Sequence, residues 1–322
     1  MNILIVGVGQ LGSRHLQALS KLDNRHNIYI VDTCKQAIKV AIGRYSEVAG
    51  EKSANLHVSE TMKDLEGIKV EVAIIATSAA VRLEVIKILI KYVDVKNLVL
   101  EKVLFQSTEQ LYEAQQLIKT KGIKSWVNCP RRMYSLYKGL HDELSGCRSI
   151  EVTGVNWGLA CNIIHFIDLW HYFTCFNDYS LGFYDLKIID SKRGGYKELI
   201  GSGRASSDCS VYELYFDCKQ DDNLSPSVSI KFIMDDRELI INETLGEMIW
   251  VDKKGVENTK QEFNLPYQSN LTDLLVKSIY DGGTCELISF EDSVVLHAEY
   301  LDKLGAIFEN YDEQFRKIVP IT

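Results

Sequence analysis

Residues 3–15 read Ile-Leu-Ile-Val-Gly-Val-Gly-Gln-Leu-Gly-Ser-Arg-His, an apolar run that enters a G-x-G-x-x-G pattern. No other stretch restricts the fold as much. The apolar run predicts a buried strand, and the glycines predict a tight turn into a helix over residues 11–22. Gly7 allows the turn, Gly9 lets a ligand approach the backbone, and Gly12 lets the helix pack against the strand. At the helix start, around Gln10, Leu11 and Gly12, the first N–H groups have no partner within the helix. Together with the helix dipole they attract an anion such as a pyrophosphate. A second strand, residues 27–31, ends at Asp32, twenty residues after Gly12. A carboxylate there can bind the ribose hydroxyls of a dinucleotide and repels the 2′-phosphate of NADP, so NAD is the expected cofactor, with NADP disfavoured.

The segments that follow keep the same rhythm to about residue 128. Strands are expected at 55–58, 70–75, 97–100 and 125–128, with helices at 35–45, 80–92 and 108–121 between them. β-Branched strands alternating with amphipathic helices predict a doubly wound parallel sheet covered on both faces. After Pro130 the character changes. A helix is expected at 132–144, and strands then dominate, at 149–157, 182–190, 208–217, 227–234, 238–242 and 247–251. Their alternation, as in Val211-Tyr-Glu-Leu-Tyr-Phe216, fits a mostly antiparallel open sheet with one solvated face. Helices are expected at 162–176, 270–280 and 289–310. The expected organisation is a dinucleotide-binding domain over 1–128 and an α+β substrate and assembly domain over 129–322.

The bulk properties narrow the function. A chain of 322 residues with 46% hydrophobic and 25% charged residues suits a globular protein with a substantial core. A formal charge of −8, with no basic stripe, argues against nucleic acid as the main partner. No apolar run approaches the ~20 residues that span a bilayer, and no signal peptide is read, so neither a membrane partner nor export is expected. The eight cysteines form no C-x-x-C pair and are expected to be reduced thiols of a cytoplasmic protein, without a metal site.

Several side chains can do chemistry. Thr77-Ser78 is expected at the carboxyl edge of the parallel sheet, where ligands bind such folds; a helix cap is the alternative role. Glu101-Lys102 closes the next strand at the same edge. A lysine near a nicotinamide can exchange a proton with a substrate hydroxyl. His165 and Asp168 share one face of a helix by their i, i+3 spacing, although a histidine among Ile163, Ile164, Phe166 and Ile167 is also a common core residue. Residues 191–207, rich in glycine and basic side chains, are expected to be irregular. That stretch is either a substrate contact, through Arg193 and Tyr196, or a surface connection.

The glycine turn with its trailing His15, the Glu101-Lys102 pair, Asn128-Cys-Pro-Arg-Arg132 and His165-Phe-Ile-Asp-Leu169 occur in the order seen in the Gfo/Idh/MocA oxidoreductases, which this chain resembles along its length. The resemblance implies NAD(P)-linked oxidation or reduction of a sugar, cyclitol or sugar-derivative hydroxyl, in surface-polysaccharide or unusual-sugar metabolism. It also implies a homodimer or homotetramer formed through the carboxy-terminal sheet. It makes Lys102 and His165 catalytic, places Asn162, Asp168 and Arg131 near the substrate, and puts Thr77, Ser78, Glu101 and Lys102 beside the cofactor. The chain departs from the pattern at Val103, where proline is usual, and at Cys161, where an aspartate precedes the histidine by four residues. A neutral thiol accepts hydrogen bonds poorly and is a weak base at pH 7. Two alternatives therefore stay open: an NAD-dependent glycoside hydrolase and a non-catalytic NAD(H)-binding sensor or scaffold.

Overall fold

The computed structural model describes residues 1–50, 53–208, 211–256 and 260–322. The chain forms two compact units. The first comprises Met1–Phe105, Glu109–Met133 and Pro266–Val294; the second comprises Gln106–Thr108, Tyr134–Leu265 and Val295–Thr322.

In the first unit, β1 (Asn2–Val6) leads into α1 (Gln10–Leu19), followed by β2 (Asn27–Val31), α2 (Lys35–Ser46) and β3 (Asn55–Ser59). A short β4 (Lys69–Val70) precedes β5 (Val72–Ile75) and α3 (Ala79–Tyr92). Then come β6 (Asp94–Val95), β7 (Asn97–Glu101), α4 (Thr108–Thr120) and β8 (Lys124–Asn128). β4 and β6 pair only with each other. The main strands lie in the order β8-β7-β5-β1-β2-β3, all parallel. β5 and β7 are buried at every residue, as expected of strands covered on both faces. The order reverses beside β1, which puts the glycine turn at the switch point where α/β sheets bind ligands.

The chain departs from expectation where it passes into the second unit. In place of one helix over 132–144, the chain forms a 3₁₀ turn at Pro130–Met133 and two short helices, α5 (Ser135–Gly139) and α6 (His141–Leu144). Tyr134 is extended (φ −69°, ψ 129°), which interrupts the helix, and Leu140 separates the two pieces.

Next come β9 (Ser149–Val155), α7 (Leu159–Thr174), β10 (Tyr179–Asp190) and β11 (Lys197–Ser207). β12 (Glu213–Lys219), β13 (Ser227–Ile233), β14 (Arg237–Asn242), β15 (Glu247–Asp252) and β16 (Gln261–Glu262) complete the sheet. The order is β10-β11-β12-β9-β13-β14-β15-β16, antiparallel except between β12 and β9. Alternate residues of β12 and β9, among them Leu214, Phe216, Ile150 and Val152, are buried. α7 lies against β11 and β12. Of the strand expected over 208–217, residues 209 and 210 lie outside the described residues, and the ordered strand begins at Glu213.

The larger correction concerns 191–207. Only residues 191–196 form a turn, and Lys197–Ser207 is a full strand between β10 and β12. Its glycines serve close packing. A Cβ on Gly203 would lie 2.2 Å from the Phe216 ring and 2.4 Å from the Gly182 carbonyl oxygen. Gly201 (φ +138°) faces the irregularity in β10 between Tyr184 and Lys187, where a Cβ would meet the Asp185 carbonyl at 2.8 Å.

The chain then returns to the first unit with α8 (Thr272–Gly282) and β17 (Ile288–Ser289), which adds to β8 as an antiparallel edge. α9 (Phe290–Tyr311) follows. Among the described residues, no helix is long and apolar enough to cross a membrane.

Candidate functional site

The turn after β1 is built as its glycines predict. Gly7 has φ +85°, and a Cβ on it would lie 2.9 Å from Thr77 Cγ2. A Cβ on Gly12 would lie 1.9 Å from the Gly7 carbonyl oxygen, so only hydrogen fits there. Gly9 is different. It is exposed, has an ordinary φ of −62°, and has nothing within 4 Å of where its Cβ would be. As the residue before α1 it offers no capping side chain, and the first turn of α1 carries no acidic residue. The N–H groups at exposed Gln10 and half-buried Leu11 therefore begin a helix whose positive end is open.

Asp32 lies at the end of β2. Its Oδ2 accepts the Val8 N–H at 2.8 Å and its Oδ1 accepts the Cys34 N–H at 2.8 Å. The carboxylate is thus fixed beside the glycine turn and keeps lone pairs for further donors. Arg44 reaches from α2 to the same turn, donating to Ser13 Oγ and to Gln10 Oε1. Thr77 and Ser78 lead into α3, and Ser78 makes no side-chain cap to that helix. The Thr77 hydroxyl oxygen is buried without a hydrogen-bond partner, beside Gly7. An open helix start, a held carboxylate and an orphaned hydroxyl fit a dinucleotide: pyrophosphate at Gly9–Gly12, ribose hydroxyls at Asp32.

At the end of β7, Glu101 is buried (3% exposed). Its Oε1 accepts from His15 Nε2 at 2.8 Å and from Asn128 Nδ2 at 2.5 Å. His15 is fully buried, and its other ring nitrogen meets Thr272 Oγ1 at 2.9 Å. The residue expected beside the cofactor therefore spends its carboxylate inside the unit, tying α1, β7, β8 and α8 together. Lys102, the next residue, is half-buried, and its peptide bond to Val103 is cis. Arg82, which no sequence signal marked, is buried beneath this edge. Its guanidinium donates to the carbonyls of Thr77, Val103 and Leu104 and so fixes the segments on either side. Burial lowers its pKa to about 10, and the charge of Glu101 opposes that fall. Arg131, half-buried, lies on the 3₁₀ turn after β8.

The second unit holds the other expected residues. The connection from β9 to α7 contains two left-handed residues, Asn156 (φ 53°) and Gly158 (φ 75°). Asn156 donates to the carbonyls of Asp221 and Leu224, and the Trp157 indole donates to the Asp217 carbonyl at 3.0 Å. Asn162 Nδ2 closes the turn by donating to the Trp157 carbonyl at 2.7 Å. Cys161, Asn162 and His165 are half-buried on α7, whereas Asp168 is buried (1% exposed). Arg193 is exposed and Tyr196 half-buried in the turn between β10 and β11, where the Tyr196 N–H donates to the Arg193 carbonyl.

Glu198, which the expected irregular stretch concealed, reaches from β11 to the start of α7. Its Oε1 accepts the Ala160 N–H, as well as the Leu199 N–H at 2.9 Å. Burial raises its pKa; hydrogen bonds from Leu199, Cys161 and Ala160 oppose that rise.

The sequence profile of the Gfo/Idh/MocA oxidoreductase family, NAD-binding Rossmann fold, matches residues 1–129. No curated protein matches the chain. Among solved structures, a putative NADPH-dependent oxidoreductase from Desulfitobacterium hafniense is similar over 96% of each chain, at 15% identity and a TM-score of 0.72. UDP-N-acetylglucosamine 3-dehydrogenase GnnA from Acidithiobacillus ferrooxidans is similar over 94% of this chain and 96% of its own, at 12% identity and a TM-score of 0.70. The super-repressor mutant of Gal80p from Saccharomyces cerevisiae aligns over 94% and 95%, at 14% identity and a TM-score of 0.71. Nearly the whole chain thus shares the fold of these proteins, and the match to the family's NAD-binding Rossmann fold covers residues 1–129.

Proposed function

We propose that this protein is an NAD-dependent oxidoreductase acting on a hydroxyl or keto carbon of a sugar, cyclitol or sugar derivative. The observation that carries the reading is the open start of α1 at Gly9, with Asp32 held beside it by the Val8 and Cys34 N–H groups. The bound nicotinamide supplies the hydride chemistry. The chain binds its pyrophosphate at the α1 N-terminus and its ribose at Asp32, whose charge disfavours a 2′-phosphate. Lys102 exchanges a proton with the substrate hydroxyl, and His165 and Asn162 bind and orient the sugar. Likeness to a UDP-N-acetylglucosamine 3-dehydrogenase supports a sugar-type substrate. We place the protein in the cytoplasm, as a homodimer or homotetramer formed through the open face of the eight-stranded sheet.

The test is NADH consumption over a panel of keto-sugars and oxidised sugar nucleotides, comparing wild type with Lys102→Ala. Turnover is expected for wild type and a loss of at least about 100-fold for the variant. Equal turnover in both would remove Lys102 from the chemistry. One observation favours a second reading, an NAD(H)-binding regulator: Cys161, a thiol, stands four residues before His165 in a fold shared with a repressor. Tight NADH binding with no turnover across the panel would select it.

A further inference from the structure

We propose that Glu198 is a positioning residue for the substrate side of the site, supplying from β11 the cap that α7 lacks. The proposal rests on the reading that Asn162 and His165 meet the substrate. Helices usually begin at a Ser, Thr, Asp or Asn whose side chain accepts a first-turn N–H. α7 begins at Gly158, which has no side chain to do so. The space where its Cβ would stand is bracketed by Glu198 Oε2 at 3.0 Å and Asn162 Nδ2 at 3.1 Å. A capping side chain at residue 158 would displace both. The carboxylate of Glu198 takes the role instead, accepting the Ala160 N–H and bonding Cys161.

The same turn is gripped from the other side. The Tyr300 hydroxyl, on α9, donates to the Ala160 carbonyl. Ala160 is thereby fixed at both its N–H and its C=O by side chains from two other elements. Two left-handed residues precede it, and Asn162 is tied back to the Trp157 carbonyl. Asn156 and Gly158 enter the left-handed region at little cost, so the turn is held by these tertiary bonds and not by strain.

Once ionised, the Glu198 carboxylate also selects for the ligand. Cys161 on α7, Cys218 on β12 and Tyr300 on α9, three acids, interact with this carboxylate. An anion brought to the first turn of α7 would meet the Glu198 charge where the helix dipole would otherwise attract it. A neutral carbinol or carbonyl meets no such opposition. An ionised Glu198 thus favours the uncharged part of a substrate, over a phosphate, at the first turn of α7.

The test compares Glu198→Gln, which keeps an acceptor oxygen and loses the charge, with Glu198→Ala, which loses both. Amide exchange by mass spectrometry over residues 159–166 is expected to be slow in wild type and in Glu198→Gln, and at least tenfold faster in Glu198→Ala. In turnover, Glu198→Ala is expected to raise KM for the sugar about tenfold with the Kd for NADH unchanged, and Glu198→Gln is expected to move the acid limb of the kcat/KM profile. Unchanged exchange in Glu198→Ala would remove the capping claim. A lower Tm with unchanged KM and pH profile would reduce Glu198 to a structural cap and overturn the proposal. If wild type turns over no sugar, the proposed function fails while the exchange arm still judges the cap; thiol alkylation then reads the positioning of Cys161. Faster alkylation of Cys161 in Glu198→Gln, where the neighbouring charge is gone, supports the positioning role, and an unchanged rate overturns it.

Discussion

Each unit contains a strand that turns into a helix through glycine, and the two junctions treat the positive end of the helix in opposite ways. α1 starts at Gly9, with no capping side chain, no acidic first turn and empty space over the glycine. α7 starts at Gly158, also without a capping side chain of its own, but the space there is taken by Glu198 and Asn162. The first junction leaves its N–H groups open to an anion from outside. The second satisfies them with a carboxylate of the protein itself, so a charged group gains nothing by approaching it. A glycine before a helix therefore says little alone; what occupies the missing side chain's place separates an anion site from a closed turn.

The largest expected effect follows from breaking the first junction. Gly12→Ala puts a Cβ 1.9 Å from the Gly7 carbonyl oxygen, and backbone on both sides must move. Overpacking of this kind costs about 1–3 kcal/mol, and here it also distorts the N–H groups proposed to bind the pyrophosphate. Fluorescence titration with NADH is expected to show affinity at least about 100-fold weaker, with a Tm several degrees lower. The equivalent change in the second unit, Gly158→Ala, strains a left-handed residue and is expected to lower Tm without altering the Kd for NADH. Loss of NADH binding in Gly158→Ala and not in Gly12→Ala would reverse the assignment of the two junctions.

Gly9→Asp sharpens the contrast by making the first junction resemble the second. Gly9 has an ordinary φ and open space, so the new side chain fits without strain. Aspartate is a favoured helix cap, worth about 0.5–2 kcal/mol over a non-capping residue and a few tenths over glycine. Its charge lies where the pyrophosphate belongs. The apo protein is expected to keep or slightly raise its Tm while NADH affinity falls about 10–100-fold. Thermal melts with and without NADH measure both at once. Retained stabilisation by NADH in this variant would exclude the α1 start as the pyrophosphate site.

The contrast also explains which parts of the molecule were legible in the sequence. The first junction was readable because steric demand writes itself as glycine at fixed spacing: Gly7 needs a positive φ and Gly12 tolerates no Cβ. Strands covered on both faces are apolar throughout, so the parallel sheet was readable as well. The partners of Glu101 were less so. His15 and Asn128 lie 86 and 27 residues away in sequence, and Thr272 reaches Glu101 through His15; the folded sheet edge alone joins them. The second junction was hidden by a misreading of composition. Gly194, Gly195, Gly201 and Gly203 among basic residues look like a loop, yet the last two lie in β11, packed against Phe216 and opposite the irregular part of β10. Once 197–207 is a strand, Glu198 is its second residue and falls beside α7. Arg82 shows the limit of such reading, because its value lies in three carbonyls that only tertiary structure brings to it.

The smallest expected effect is the pH dependence that the second junction adds to stability. Burial holds the pKa of Glu198 above its ordinary 4.5, so the folded protein keeps a proton that the unfolded chain has already released. Over that interval the folded state binds more protons, and stability falls as pH rises from about 4.5 through the folded pKa. The contribution is complete below the unfolded value and gone once the folded carboxyl ionises. Glu198→Gln removes the titration while keeping an acceptor for Ala160. Urea melts at a series of pH values are therefore expected to show wild type losing stability relative to Glu198→Gln as pH rises through this window, and holding a constant offset above it. A gap that widens in the other direction would mean that the first-turn N–H groups of α7 favour the charged carboxylate more than burial opposes it. In that case the second junction would be a true anion site, already filled by its own side chain.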